Sequence, residues 1–287
     1  MSTSEHSNEP AELTVRLTPT AADVDPKRFY RRRRRVELSL AVGVPVALVA
    51  AWQVAFTLEL IDNRFYASPW EIVTSDELRT RDFWSEIWIS TQRMLKGFAL
   101  GSSAGVALGV LMGVSRIFRA SFESLLSALY TVPKLALIPL FVTLFGFGDL
   151  PRIILIAVTV FFFVWIATMS AVIGVDEGYR EAAISFGANK WQLFRHVLFP
   201  AALPQVFVGL RIAAGVAVLM LIGVELVLAS DGLGALIEKG RTLFLPELTY
   251  VGIAFAALMG LVFSSIIRVV ARRVVPWAPE EQTRGQA

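Results

Sequence analysis

The sequence from residue 177 to residue 204 reads EGYREAAISFGANKWQLFRHVLFPAALP, and long apolar runs flank it on both sides. Its charged side chains cannot lie in the hydrocarbon of a bilayer, where an unpaired polar group is costly. Apolar and aromatic residues recur at helical spacing before and after Gly187, which is typical of amphipathic helices. We therefore expect two short helices, bent at Gly187, that lie on one membrane face and offer an apolar side to a partner.

The composition of the whole chain indicates a membrane protein. Of its 287 residues, 55% are hydrophobic, and the mean hydropathy is +0.60. Such values are typical of helical membrane proteins. A formal net charge of +3 does not indicate a nucleic-acid partner. The sequence contains no cysteine, which excludes disulfides and thiolate metal sites.

Six apolar stretches have the length that a helix needs to cross a bilayer, about 20 residues. They lie at 38–60, 86–113, 121–146, 152–174, 202–228 and 249–270. With the N-terminus inside, the inner segments carry 16 Lys and Arg residues and the outer segments carry 5. Under the positive-inside rule, this predicts a multi-pass membrane protein with both termini, and the segment after residue 177, in the cytoplasm.

The two ends of the chain are expected to lie outside the membrane domain, which we place at 36–277. Residues 1–35 are polar and end in five arginines, so we expect a disordered basic tail that anchors the topology. Residues 278–287 are expected to form a second disordered tail. A short interfacial helix is expected after Pro69.

The second predicted span carries a stripe of glycines. They recur every four residues and wind slowly around a helix of 3.6 residues per turn. Such a stripe allows a second helix to approach backbone to backbone in a membrane. The predicted packing residues are Gly97, Gly101, Gly105, Gly109 and Gly113.

The third span contains Lys134 between two prolines, Pro133 and Pro139. Both prolines are expected to kink the helix and to free carbonyl groups, which is tolerated where protein or water satisfies them. An intramembrane cation is a candidate functional residue. Lys134 and the neighbouring Thr131 are therefore predicted to face a solute pathway, although a structural pairing of Lys134 with Glu123 is an alternative.

The fifth span ends near Glu225, which has two alternative interpretations. Its carboxylate could face a central cavity, and on that basis Glu225 is the third predicted pathway residue. Alternatively, it could pair with a cation at the outer rim, such as Lys239 or Arg241.

The sequence offers no catalytic residue and no metal site. It lacks a P-loop, so the chain does not bind ATP in that way. A Gly-x-Ser-x-Gly pattern occurs at 101–105, but it lies inside the glycine-striped span rather than on a strand–turn–helix elbow, and both histidines lie outside the spans. A membrane-embedded hydrolase using Ser103 is therefore a remote alternative. A channel or secondary transporter without ATP is another.

The opening stretch resembles the signature of ATP-binding-cassette importer permeases, which reads Glu-Ala-Ala, three residues, Gly, nine residues, then Ile-x-Leu-Pro. Here Glu181-Ala182-Ala183 is followed by Gly187, and Val197-Leu198-Phe199-Pro200 ends it. The resemblance covers roughly 60–277. Further stretches look like the branch that imports nitrate, sulfonates, taurine and some vitamin precursors: Leu135-Ala-Leu-Ile-Pro-Leu140, Phe145-Gly-Phe-Gly148, Gly209-Leu-Arg211 and Gly232-Leu-Gly234.

The resemblance implies an all-α protein of the bacterial plasma membrane with a five-helix permease core, an additional N-terminal helix and a cytoplasmic coupling helix. It implies a homodimer that works with separate ATPase subunits and with an extracytoplasmic binding protein that delivers solute. The ATPase subunits would bind the ATP, so this chain would need no cofactor. The residues that contact the ATPase would be Glu181, Ala182, Ala183, Gly187, Trp191, Phe194 and Pro200. The solute would be a small anion such as a sulfonate, taurine or nitrate, or alternatively a pyrimidine or flavin precursor.

Overall fold

The computed structural model describes residues 26–62, 64–228 and 230–277, and the regular elements in these ranges are all helical. The chain divides into two compact units at Leu60 and Ile61. The first contains α1, Pro26–Thr57. The second contains α2 Pro69–Thr74, α3 Arg81–Val114, α4 Arg116–Thr131, α5 Ile138–Phe145, α6 Asp149–Ile173, α7 Glu177–Ser185, α8 Lys190–Leu193, α9 Phe199–Leu228, α10 Leu233–Thr242 and α11 Pro246–Val274.

The number of membrane spans agrees with the prediction. Five helical stretches are long and apolar enough to cross a bilayer, and there are six if the bent pair α4–α5 counts as one span. The prediction of an all-α membrane protein is therefore confirmed for the described residues. The predicted interfacial helix after Pro69 is α2, and Ser68 and Glu71 form a capping box at its start.

The first unit differs from the expectation for the N-terminal tail. Residues 26–35 were expected to be disordered, but they form the first turns of α1, whose apolar part runs from Arg35 to Thr57. Arginine is a good helix former, so the basic run extends the apolar helix instead of ending it. The rest of that tail, residues 1–25, and the C-terminal tail 278–287 lie outside the described residues.

The core of the second unit consists of α3, α6 and α9. The glycine stripe of α3 lies against α6 from end to end. A Cβ atom on Gly101 would lie 2.3 Å from the carbonyl oxygen of Ala157, and one on Gly113 would lie 2.6 Å from Cβ of Val172. The two helices run in the same direction at backbone contact, the close approach that small residues allow. α9 runs in the opposite direction and packs on α6 through a shared apolar cluster.

The third span is broken rather than kinked twice. α4 ends at Thr131, a short 3₁₀ turn occupies Lys134–Leu137, and α5 begins at Ile138 after a bend of 85°. Pro133 precedes the 3₁₀ turn and interrupts the helix. Pro139 lies in the first turn of α5, where a missing N–H breaks no helical hydrogen bond. The expectation that both prolines kink the span is therefore wrong for Pro139.

Candidate functional site

The segment 177–200 contains the two short helices that the sequence predicts, and polar side chains define their starts. Before α7, a side-chain oxygen of Asp176 accepts a hydrogen bond from the N–H of Gly178 at 2.7 Å. Before α8, Asn189 and Gln192 form a reciprocal capping box with two bonds of 2.9 Å. Such caps satisfy the free N–H groups of a helix end, so both starts are fixed by local sequence.

Gly187 produces the bend between α7 and α8. Its φ is +80°, a backbone conformation that residues with a Cβ rarely adopt. The N–H of Gly187 donates to the carbonyl of Ile184 at 2.8 Å, and the N–H of Ala188 donates to the carbonyl of Ala183 at 3.0 Å. These two bonds form a Schellman motif, the usual way for a glycine to end a helix. The direction in which α8 leaves α7 therefore depends on this one backbone angle.

We expected the second short helix to be separate from the fifth span, but the two are joined. A π-helical turn at Phe194–Leu198 joins α8 directly to α9, so helical structure is continuous from Lys190 to Leu228. The turn immediately precedes Pro200, which has no N–H to continue an α-helical ladder. A π turn accommodates such an interruption without a sharp break.

Part of the segment 177–200 presents apolar side chains that no other described residue covers. We call the residues Tyr179, Ile184, Phe186 and Trp191 the apolar patch; they are 64%, 60%, 91% and 63% exposed. The predicted contact residues Glu181, Ala182 and Gly187 are also exposed, whereas Ala183, Phe194 and Pro200 are half-buried. An exposed apolar patch with polar residues around it typically marks an interaction surface.

Sequence reasoning did not select Phe186 as a contact residue, although it has the most exposed ring in the patch. Its position could have identified it, because it directly precedes a glycine that ends a helix in an otherwise polar region. Trp191, which was selected, lies 5.8 Å from the ring of Phe194, measured between ring centroids.

The inner side of the same segment is fixed to the membrane helices. Leu198, Ala202 and Val206 form a buried cluster with Ala171, Val172 and Val175, and Leu193 and Phe194 pack against it. An Nη atom of Arg180 donates to the carbonyl of Val172 at 3.2 Å. Any displacement of the segment therefore acts directly on α6 and α9.

A second group of functional side chains lies at the opposite end of the bundle. Glu225, on α9, is 0% exposed, and its carboxylate accepts hydrogen bonds from Ser90 at 2.8 Å and from the N–H of Gly234 at 3.0 Å. It pairs with Arg93 at 3.0 Å. The suggested pairing of Glu225 with Lys239 or Arg241 is wrong, because this face of α9 is turned toward α3. The carboxylate is enclosed by described residues of its own chain.

Arg93 is the centre of this group. Its Nε atom lies 2.7 Å from a carboxylate oxygen of Asp149, and an Nη atom lies 2.8 Å from Asp231. Arg152 binds the same oxygen of Asp231 at 2.8 Å. We call Ser90, Arg93, Asp149, Arg152, Glu225 and Asp231 the ionic cluster. Apart from Glu225, the sequence analysis did not select its members, although an arginine inside an apolar span is a signal of burial with a partner.

The loop that follows α9 is shaped around this cluster. Gly232 has φ +97°, and a Cβ atom there would lie 2.4 Å from a carboxylate oxygen of Glu225. Two open cavities, of about 430 and 640 Å³, adjoin the loop and share Ser230 and Asp231 in their walls. Partial burial of Asp231 favours its neutral form, but hydrogen bonds from Ser230 and Arg93 outweigh this and lower the pKa of Asp231.

The remaining predicted pathway residues lie at the break between α4 and α5. The ammonium group of Lys134 donates to the carbonyl of Tyr130 and lies 4.8 Å from the ring centroids of both Tyr130 and Phe162. These contacts replace the suggested pairing with Glu123. The Thr131 hydroxyl donates to the carbonyl of Ala128 at 2.7 Å. Both side chains lie away from the ionic cluster.

The described residues offer little to hold a metal or to perform hydrolysis. They contain no group of three or more His, Asp or Glu side chains that could bind a metal ion. The Ser103 hydroxyl, the nucleophile of the hydrolase alternative, donates to the carbonyl of Leu100 within α3 at 3.0 Å.

Comparison with known proteins gives consistent results. Residues 105–277 match the family described as binding-protein-dependent transport system inner membrane component. SsuC of Bacillus subtilis, named for the transport of aliphatic sulfonates, is 32% identical over 93% of this chain and 97% of its own length. The taurine transport permease TauC of Escherichia coli is 29% identical over 86% of this chain and 92% of its own length. The nitrate import permease NrtB of Leptolyngbya laminosa is 30% identical over 89% of this chain and 98% of its own length.

Solved structures show the same fold at lower sequence similarity. A chain of a bacterial alginate ABC transporter superposes with a TM-score of 0.59 and 16% identity, over 87% of this chain and 99% of its own. A chain of the MetNI methionine ABC transporter, described as inward facing, superposes with a TM-score of 0.52 and 19% identity. The match covers 70% of this chain and 97% of the MetNI chain.

Proposed function

The chain belongs to the family of binding-protein-dependent transport system inner membrane components, the permeases of ABC importers, and on this basis we propose how it works. It forms the membrane part of an importer whose energy comes from a separate ATPase subunit. Two copies of the chain enclose the solute pathway, and a binding protein outside the membrane delivers the solute. The family supports the ATPase and the binding protein as partners.

The apolar patch on 177–200 is the single observation that carries the coupling part of this proposal. Four large apolar side chains are exposed on a segment that leaves the membrane spans. Burial in a groove of the ATPase would remove them from water, with Phe186 and Trp191 as the aromatic anchors. The same segment packs on α6 and α9, so a movement of the ATPase would be transmitted to the spans.

The orientation of the chain follows from charge. The segment 177–200 and both termini are cytoplasmic, as the excess of Lys and Arg on that side favours. The ionic cluster then lies toward the extracytoplasmic face, where the binding protein docks.

The proposed solute is a small anion, namely a sulfonate, taurine or nitrate. Three relatives that each cover at least 86% of this chain are named for the transport of these compounds. Lys134 and Thr131, at the broken span, are proposed to face the pathway, where a cation and a hydroxyl group would suit an anion. Glu225 is no longer a pathway candidate because its side chain is enclosed within the chain.

Reconstitution tests this proposal. The chain is placed in proteoliposomes with its ATPase and the cognate binding protein, and uptake of a labelled pyrimidine precursor and a labelled flavin precursor is measured. Uptake of three labelled anions, namely taurine, an alkanesulfonate and nitrate, is measured in the same way. We expect uptake of one of them that needs ATP and is abolished by vanadate. Uptake without ATP would contradict the importer mechanism, whereas ATP-driven uptake of a pyrimidine or flavin precursor alone would contradict only the anion.

A further inference from the structure

Trp191 of the apolar patch and Glu225 of the ionic cluster lie at opposite ends of one helical run. Helical structure continues for 39 residues from Lys190 to Leu228. At 1.5 Å per residue this run is about 58 Å long. Trp191 lies at its first turn and Glu225 near its last. A displacement imposed on α8 therefore passes along one continuous helix, through the π turn and past Pro200, to the carboxylate that Arg93 holds.

The ionic cluster ties that helix to the two other core helices. Arg93 belongs to α3, Asp149 to the first turn of α6, and Glu225 to α9. Arg93 uses its Nε and both Nη atoms in ion pairs, at 2.7, 3.0 and 2.8 Å to Asp149, Glu225 and Asp231. Its side chain is 2% exposed. Separating these helices would leave a buried charge without its partner, which is strongly unfavourable.

The loop after α9 is held by the same groups. An Nη atom of Arg93 also donates to the carbonyl of Asp231 at 3.1 Å, and Ser90 accepts from the N–H of Leu233 at 2.8 Å. The cluster thus fixes the backbone that borders both open cavities at this end.

The broken span lacks such ties. Among the described residues, α4 contains no buried residue, and α5 contains only Ile138. The loop after α5 contains Gly146 at φ +80° and Gly148, and a Cβ atom on either glycine would meet no atom within 4 Å. The α4–α5 pair packs on the core through apolar side chains such as Ile138 and Phe141, and none of its described residues forms an ion pair with the tied helices. Moving the pair relative to those helices therefore costs less than separating the buried ion pairs.

We propose that Arg93 is a positioning residue for transport. It joins the loop 230–234 and the ends of α3, α6 and α9 at the ionic cluster into one rigid body. This body carries a displacement of the segment 177–200 to the far face while α4–α5 moves against it. This inference rests on the proposed function, because an ATPase must supply the displacement. It assigns to the cluster a role in coupling in addition to its role in stability.

Substitution of Arg93 separates these two roles. Lysine keeps the charge but cannot bind three carboxylates with one planar group. For Arg93→Lys in the complete complex, we expect normal assembly and ATPase activity but about tenfold more ATP hydrolysed per solute imported. Glu238→Gln removes a surface pair with Arg241 and serves as the control with a wild-type ratio. A wild-type ratio for Arg93→Lys, or a parallel loss of ATPase activity and uptake, would overturn the proposal.

A distance measurement tests the rigid body without altering the cluster. The natural sequence has no cysteine, so spin labels can be attached at introduced cysteines in one copy of the assembled complex. Between the resting and the ATP–vanadate states, we expect the Ser85–Val227 distance, across α3 and α9, to change by less than about 2 Å. The Leu125–Val227 distance, from α4 to α9, should change by more.

A larger change for Ser85–Val227 than for Leu125–Val227 would overturn the rigid body while leaving the ATP-driven function intact. If neither distance responded to ATP, the movement of α4–α5 against the rigid body would be contradicted. The ATP-driven function is tested separately, by vanadate-sensitive uptake in proteoliposomes.

Discussion

Arg93 and Glu225 are 132 residues apart in sequence, yet their side chains meet at 3.0 Å between Nη1 and Oε1 with almost no exposure to solvent. The pair joins the start of the glycine-striped helix to the end of the helix that begins at the apolar patch. The contact lies at the end of the bundle opposite the segment 177–200 and holds α3 against α9.

Loss of the Glu225 carboxylate should destabilise the protein. Glu225→Ala leaves Arg93 without one of its buried partners and the N–H of Gly234 without an acceptor. We expect the free energy of unfolding to fall by about 3 kcal/mol, as for other broken buried pairs. Thermal unfolding in detergent measures this, with Glu238→Ala in the surface pair as the control. An unchanged melting temperature for Glu225→Ala would contradict the burial of the pair.

The glycine stripe should tolerate no side chain where it meets the α6 backbone. A Cβ atom on Gly101 would lie 2.3 Å from a carbonyl oxygen, whereas one on Gly215 of α9 would meet nothing within 4 Å. We expect Gly101→Ala to cost about 1–3 kcal/mol by overpacking. Gly215→Ala should leave the melting temperature unchanged or raised. Equal stability of the two variants would show that α3 and α6 are not in backbone contact.

The sequence predicted the spans and the glycine stripe because both depend on local periodicity. A glycine repeated every four residues identifies the packing face of its own helix, independently of the rest of the sequence. The stripe could not name its partner, α6, because nothing in residues 97–113 encodes the position of a helix that begins at Asp149. The bend at Gly187 was predictable for the same local reason, since the hydrogen bonds of its Schellman motif lie within residues 183–188.

The ionic cluster could not be predicted, because its members come from four separate stretches of the chain. Glu225 was selected, but its partner was sought among cations close in sequence, Lys239 and Arg241. The true partner, Arg93, becomes adjacent only when α3 and α9 pack. The continuity of α8 with α9 was missed for another reason: a proline at position 200 reads as a helix boundary, and a π turn removes that boundary.

The cluster should make stability sensitive to acid. The pKa of Asp231 is lowered in the folded chain, so its carboxylate contributes stability above its unfolded pKa, and this is lost as the pH falls through the folded pKa. Between about pH 5 and about pH 3, the melting temperature of the wild type should therefore fall more than that of Asp231→Asn. Identical pH profiles for the two proteins would show that Asp231 gains nothing from its partners.

The apolar patch should bind the ATPase through Phe186. Phe186 and Phe147 are both 91% exposed, but Phe147 lies at the opposite end, beside the ionic cluster. We expect Phe186→Ser to weaken binding of the isolated ATPase to the permease in nanodiscs about 30-fold, the effect of losing one aromatic anchor. Phe147→Ser is the matched control and should bind as the wild type does. Equal affinities for both variants would place the ATPase elsewhere.

The account as a whole requires that the segment 177–200 transmits the motion of the ATPase, and Gly187 sets its shape. A Cβ atom at Gly187 would meet no atom of this chain within 4 Å, so within the chain a substitution there acts through φ. Valine strongly disfavours a positive φ, whereas asparagine tolerates it. Gly187→Val should thus misdirect α8, and Gly187→Asn should largely preserve it.

The most direct measurement is the number of ATP molecules hydrolysed per solute imported, in proteoliposomes, for the wild type, Gly187→Val, Gly187→Asn and Gly215→Ala. We predict that Gly187→Val inserts and supports ATP hydrolysis but raises this ratio about tenfold or more, while the other two variants stay near the wild type. A wild-type ratio for normally inserted Gly187→Val would contradict the claim that this segment couples ATP hydrolysis to transport.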